Sequence, residues 1–189
     1  TALVQMAAEA TGVPVEAVTA HFSDTASSGD SGSVSASRMT FMAGHSLLNA
    51  IANLEAAAKE AGARTYDALK KAGKPTRFEG VQKNPGPAGL DPKTGQGNAQ
   101  VTECHNIQMA EVEVNTETGA AKVNRMTVCV DGGTVINPQA FEGQLEGGMD
   151  QGVGDALREE YTLGKEKDYV QFKFPTTRDM FEVEMITLQ

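Results

Sequence analysis

The run Ser31-Gly32-Ser33-Val34-Ser35-Ala36-Ser37 gathers small side chains, hydroxyls and closely spaced backbone N–H groups directly ahead of a long apolar-periodic segment starting near Arg38. Small residues let a backbone curl tightly and approach a ligand. The start of the following helix adds unpaired N–H groups and the positive end of a dipole. Successive N–H groups and hydroxyls of this kind hold a phosphate or another anionic oxygen without any lysine. Ser33, Ser35, Ala36 and Ser37 would stand nearest such a ligand. The same composition also suits a plain Ser/Gly linker whose serine is an ordinary helix N-cap. On the residues alone, both readings stay open.

Other groups with chemical potential are more dispersed. Gln144 lies in a glycine-rich segment, and its amide can donate and accept at once, although an exposed or interhelical glutamine is the plainer reading. Gln151 repeats the case seven residues on. Asp131 precedes two glycines, a place where aspartate commonly bonds its own turn. Glu159-Glu160 sits near a helix C-terminus, against the dipole, and calls for a cationic partner such as Arg158 or Arg178. The two cysteines, Cys104 and Cys129, make neither a CxxC pair nor a zinc spacing. Cys104-His105 reads as strand, and strand neighbours point to opposite faces, so the pair is assigned to packing. His21, His45 and His105 are scattered without a helical i, i+4 partner, so no metal ligand is assigned. No Gly-x-Ser-x-Gly elbow occurs, which removes a serine hydrolase.

The elements that must position these residues are mixed. Ala2–Ala10 has helical spacing and stops at Thr11-Gly12; Pro14–Val18 makes a short turn, and Thr19–Phe22 reads as a strand. A long helix runs from about Arg38 to Ala61, ending at Gly62, and a short one spans Tyr66–Ala72. Residues 84–98 are rich in Pro, Gly, Lys and Asn and form a surface loop between segments 1–83 and 99–189. Beyond it the period changes to two. Val101–Asn115, a turn at Thr116-Glu117-Thr118-Gly119 and Ala120–Val130 make a long hairpin. Asn137-Pro138 opens a helix to about Glu160, with asparagine as N-cap and proline at the first helical position. Its five glycines each cost roughly 1 kcal/mol against alanine, which suggests close packing against a backbone or cofactor. Strands follow near Tyr169–Phe174 and Glu182–Leu188. The pattern is α+β, with helices mixed with antiparallel strands.

Composition narrows the partners. The 189 residues carry a formal net charge of −9, which argues against nucleic-acid backbones and anionic membrane surfaces. No apolar run approaches the ~20 residues that span a bilayer.

Two blocks of motifs carry a family resemblance. Ser23-Asp24-Thr25, the Gly/Ser loop, Ser37-Arg38-Met39-Thr40-Phe41 and Gly44 resemble a segment of the xanthine oxidase family of molybdenum hydroxylases. Val130-Asp131-Gly132-Gly133, Ile136-Asn137-Pro138, Gln144-Leu145-Glu146-Gly147-Gly148 and Gln151-Gly152-Val153-Gly154 to Glu159-Glu160 resemble that family's later motif succession, in the same order and spacing. The resemblance covers most of residues 19–163. Within the family, the sequence is most similar to the aldehyde oxidoreductases of sulfate-reducing bacteria, which use molybdopterin cytosine dinucleotide.

What the resemblance implies is specific. Ser31, Gly32, Ser33, Val34, Ser35, Ala36 and Ser37 would contact the molybdenum cofactor, and Gln144 would reach it from the glycine-rich helix. The chain would be part of the molybdopterin-binding region of a larger subunit. Its own ends, inside a helix and inside a strand, suit that expectation. Family members hydroxylate aldehydes to carboxylic acids with water as oxygen source, pass electrons through two 2Fe–2S clusters to an acceptor protein, and form homodimers. The family's other glycine-rich cofactor loops and its cysteine-rich cluster region do not occur here, and its glutamate base is expected beyond Gln189. No catalytic residue is therefore assigned. A non-redox nucleotide- or phosphate-binding module and a structural interface lobe are the alternatives.

Overall fold

Apolar residues three and four apart build helices at the start of the chain. The computed structural model describes residues 1–30, 32–35, 37–83, 89–98 and 102–188. They fall into two compact units, Thr1–Val101 and Thr102–Gln189. In the first unit, α1 (Ala2–Thr11) ends at Gly12, whose left-handed backbone turns its N–H onto the Ala8 carbonyl at 2.8 Å. A 3₁₀ turn, Val15–Ala17, follows. The main element is α2 (Met39–Ala61), closed by left-handed Gly62. It packs on α1 where Met6 covers Gly44; a methyl on that glycine would stand 2.6 Å from Met6 Cε. The short α3 (Tyr66–Lys71) is capped by the Thr65 hydroxyl, which accepts from the Ala68 N–H.

One expected strand is absent. Thr19–Phe22 is exposed and irregular, and among the described residues no neighbouring strand offers its backbone a ladder. Further on, β1 (Gly89–Leu90) and β2 (Gly97–Asn98) pair antiparallel. Asp91 closes their turn by accepting the N–H groups of Lys93 and Thr94.

An extended strap, residues 79–82, lies along α2 without forming a sheet. Helix side chains take the place of a partner strand. Asn53 donates to the Glu79 carbonyl at 2.9 Å, Asn49 donates to the Val81 carbonyl at 3.0 Å, and the Ser46 hydroxyl accepts the Gln82 N–H at 3.0 Å. Gly80 sits so close that a methyl there would overlap the Ser46 carbonyl oxygen and the Ala50 nitrogen.

The second unit is a three-stranded sheet, β3-β4-β5, with a helix crossing it. β3 (His105–Val114) and β4 (Ala121–Asp131) pair antiparallel through the turn expected at residues 116–119. Asn115 accepts the N–H groups of Glu117 and Thr118 there, and Gly119 takes a positive φ. β5 (Glu182–Leu188) departs from the antiparallel expectation and runs parallel to β4. Parallel neighbours need a long crossover, and α4 (Pro138–Leu157) supplies it. The helix begins as expected, with Asn137 accepting the Ala140 N–H at 2.8 Å and Pro138 in the first turn. It stops at Leu157, short of Glu160.

The core of this unit follows from two periods. Met126, Val128 and Val130 alternate along β4 and are buried; Phe141, Leu145, Met149 and Val153 recur every four residues on α4 and pack against them, with Phe181 closing one side. The expected strand Tyr169–Phe174 is instead the short helix α5 (Tyr169–Phe172). Asp168 accepts the Gln171 N–H at 2.9 Å and so caps a helical turn, and Lys173 ends it at φ 64°. The cationic partner of Glu160 is Lys173, at 2.7 Å, because Arg158 is taken by Asp179. That hydrogen-bonded ion pair holds the Glu160 carboxyl below the usual carboxylate range. Among the described residues, no helix is long and apolar enough to cross a membrane.

The strap gives a direct test of the first unit. Gly80→Ala forces a methyl into α2 backbone and is expected to destabilise the fold by about 1–3 kcal/mol, as overpacking does. Urea unfolding should show a lower midpoint; an unchanged midpoint would mean that residues 79–82 do not lie on the helix.

Candidate functional site

The Ser/Gly loop leads into α2 through three side chains that brace it from within the chain. Asp24 accepts the Ala26 N–H at 3.0 Å and the Ser27 hydroxyl at 2.6 Å. The Ser27 bond, with the Ala26 N–H behind it, holds the Asp24 carboxyl below its ordinary value. Asp30 accepts the Gly32 N–H at 2.8 Å. Arg38, at the helix start, reaches back to the Ser33 carbonyl at 2.9 Å. Gly32 and Ser37 both take left-handed backbone angles, φ 65° and 53°, so the chain bends sharply on either side of Ser33–Ser35. Ser31 and Ala36 lie outside the described residues.

The amino end of α2 is open. Its N-cap is Arg38, and among the described residues no side chain caps the first turn. Thr65, Asn137 and Asp168 do cap α3, α4 and α5, whereas α1, like α2, has no side-chain cap. The reading in which a serine serves as an ordinary cap therefore does not describe this helix. Backbone N–H groups at the head of a 23-residue helix keep their donor capacity and their dipole. Beside them a cavity of about 510 Å³ is walled by Asp30, Ser33, Val34, Arg38, Met39 and the strap at Gly80–Gln82. Neutral donors at a dipole's positive end suit an anionic oxygen, so these residues fit the phosphate-bearing part of a pterin cofactor.

The structure thus brings Gly32, Ser33, Val34, Ser35 and Ser37 together at the head of α2. Gln144 belongs to the second unit, on α4, where it is exposed. The helical period sets Ala140, Gly143, Gln144, Gly147 and Gln151 on the side opposite the core row of Phe141, Leu145, Met149 and Val153. On that side a methyl on Gly143 or Gly147 would meet nothing within 4 Å, whereas on Gly154 it would press on Pro175. Gly148 and Gly152 face the sheet instead, beside Val123 and Met126. Asp131 makes the turn bond expected of it, accepting the Gly133 N–H at 3.2 Å. Cys104 is exposed and Cys129 half-buried. Among the described residues, no three His, Cys, Asp or Glu side chains converge on a metal position.

Two contributors were not singled out in the sequence. Arg38 reads there as the start of a helix and as part of a motif block, with no role of its own, although a cation at a helix's positive end signals that its charge is engaged elsewhere. The strap also went unread. Its signal was the row of hydrogen-bonding residues Ser46, Asn49 and Asn53 along one face of the helix.

Comparisons with known proteins complete the description. The family model described as "Molybdopterin cofactor-binding domain" matches residues 1–181. The chain is 37% identical over 152 residues to an aldehyde oxidoreductase of Megalodesulfovibrio gigas, an alignment covering 79% of this chain and 17% of that protein. Xanthine dehydrogenase 1 of Arabidopsis thaliana is 30% identical over 172 residues, covering 87% of this chain and 13% of that protein. The solved aldehyde oxidoreductase from Desulfovibrio gigas matches with a TM-score of 0.90 at 33% identity, over 99% of this chain and 21% of that one. The chain spans about a fifth or less of the length of each of these proteins. The mixed helix-and-strand class read from the sequence is that of the solved enzyme's matching region.

The left-handed Ser37 supplies a test of the loop. A β-branched residue is strained at φ 53°, whereas glycine is not. Ser37→Val is expected to destabilise the junction by ~1–3 kcal/mol relative to Ser37→Gly. Hydrogen exchange of the Arg38–Met42 amides should be faster in the valine variant; equal exchange would place Ser37 in an unstrained conformation.

Proposed function

The chain belongs to the molybdopterin cofactor-binding domain family, and we propose that it forms one wall of the cofactor site in a molybdenum-dependent aldehyde oxidoreductase. The observation that carries this reading is the uncapped head of α2 behind a Ser/Gly loop, in a chain whose matched relatives include aldehyde oxidoreductases. Together with the cavity beside it, that loop favours the cofactor reading over a structural interface lobe. The family match sets aside a simple nucleotide module.

In this reading the chain's work is positioning. The N–H groups of the Ser31–Ser37 loop and of the first turn of α2 hold the cofactor's anionic oxygens, assisted by the hydroxyls of Ser33, Ser35 and Ser37. Gln144 offers an amide that donates and accepts at the pterin. The bare face of α4 seats against the cofactor or against backbone from the rest of the subunit. When bound, the cofactor supplies the two-electron oxidation in which an aldehyde and water give a carboxylic acid, two electrons and two protons. The cofactor is the cytosine dinucleotide form. The glutamate base and two 2Fe–2S clusters belong to other parts of the same subunit, which acts as a homodimer and delivers electrons to an acceptor protein.

The test is made on the full-length natural protein. It should contain molybdenum, release a cytidine nucleotide on acid hydrolysis, and place heavy oxygen from labelled water into the acid formed from an aldehyde. A protein free of molybdenum would contradict the reading. At residue level, Ser35→Asp sets a carboxylate against an anion in a partly enclosed site and should empty the protein of molybdenum. Gln144→Leu removes a donor and an acceptor, and should weaken turnover or cofactor retention by about 1–3 kcal/mol with the fold intact.

A further inference from the structure

An anion cradle made of backbone works only if its carbonyl oxygens point elsewhere. Each carries partial negative charge and would repel the ligand that the N–H groups attract. In the loop before α2, two carbonyls are accounted for by one residue. The Arg38 guanidinium donates to the Ser33 oxygen at 2.9 Å, and the Arg38 backbone N–H donates to the Ser35 oxygen at 3.4 Å. Because a peptide unit is planar and trans, its carbonyl and N–H point in opposite directions. Drawing the Ser33 oxygen onto the guanidinium therefore aims the Val34 N–H away from it. At the loop's other end, Asp30 occupies the Gly32 N–H at 2.8 Å, so the bend is held from both sides.

We infer that Arg38 is a positioning residue, a clasp that turns the Ser33 and Ser35 carbonyls onto itself and so leaves N–H groups and hydroxyls for the cofactor. This rests on the reading of the loop as the cofactor's anion cradle. It also accounts for an arginine at the helix end least favourable to a cation. The guanidinium makes this bond through one terminal nitrogen, and a lysine ammonium, a point donor on a flexible stem, would keep the charge but hold the carbonyl less firmly.

The experiment compares Arg38→Met, Arg38→Lys and Ser35→Asp in the full-length, cofactor-loaded protein. Molybdenum and nucleotide release are followed over time, and hydrogen exchange of residues 32–38 is read in protein stripped of cofactor. Arg38→Met should release both components roughly tenfold faster and exchange its loop amides roughly tenfold faster, as loss of a charge-assisted hydrogen bond implies. The stripped protein's melting temperature should hold, a separation that a merely structural role would not give. Arg38→Lys should fall between. Natural release and exchange rates in Arg38→Met, beside metal loss in Ser35→Asp, would overturn the clasp and leave the cradle standing. Full metal retention in Ser35→Asp would overturn the cradle and the clasp's role with it.

Discussion

The open amino end of α2 is the constraint on which the first unit turns. A helix of this length gathers unpaired donors and a dipole at its head, and the other capped helices of the chain meet that demand with an oxygen-bearing side chain. Here the sequence places arginine at the cap and serines and glycine before it, and among the described residues no side chain caps the end. Several features follow from keeping it open yet ordered. Asp24, Asp30 and Arg38 bond within the loop, so its bends hold without covering the donors. The strap along Ser46, Asn49 and Asn53 walls the cavity beside them and is tied to the helix itself.

The second unit meets a different demand by a similar separation of faces. One side of α4 is committed to β4 through an i, i+4 row of large apolar residues, around a core in which Val128 and Val130 are fully buried. The opposite side carries Gly143 and Gly147, at a cost in helix propensity that no contact among the described residues offsets. A surface that is both bare and costly is shaped for contact. Gln144 and Gln151 are among the polar groups along it, each able to donate and accept.

Local rules made much of this legible beforehand. The antiparallel hairpin with its turn at residues 116–119, the Asn137-Pro138 start of α4 and the glycine stops of α1 and α2 each depend on a few neighbouring residues, and the structure shows each of them. Ala110–Val114, whose alternation reads as a half-buried strand, is instead exposed along its length. What was misread depended on partners far away or on competing local bonds. Thr19–Phe22 has strand-forming residues but no strand to join. Tyr169–Phe174 has aromatic, β-prone character, yet one aspartate cap is enough to turn it helical. The direction of β5 is set by the α4 crossover, not by its own seven residues. For the site, the loop was recognisable from composition and from a family resemblance. Arg38's grip on the Ser33 carbonyl was not, because it depends on how the chain folds back over five residues.

An experimental structure of the full-length protein with its cofactor bound tests the central claim most directly. The distances that matter run from the cofactor's anionic oxygens to the backbone nitrogens of Val34, Ser35, Ser37 and the first turn of α2. The account predicts that several of them lie within about 2.7–3.2 Å, hydrogen-bond range, with the Ser33 carbonyl still turned onto Arg38. A cofactor whose phosphate oxygens are held elsewhere, with the head of α2 capped by another side chain or facing solvent, would contradict it.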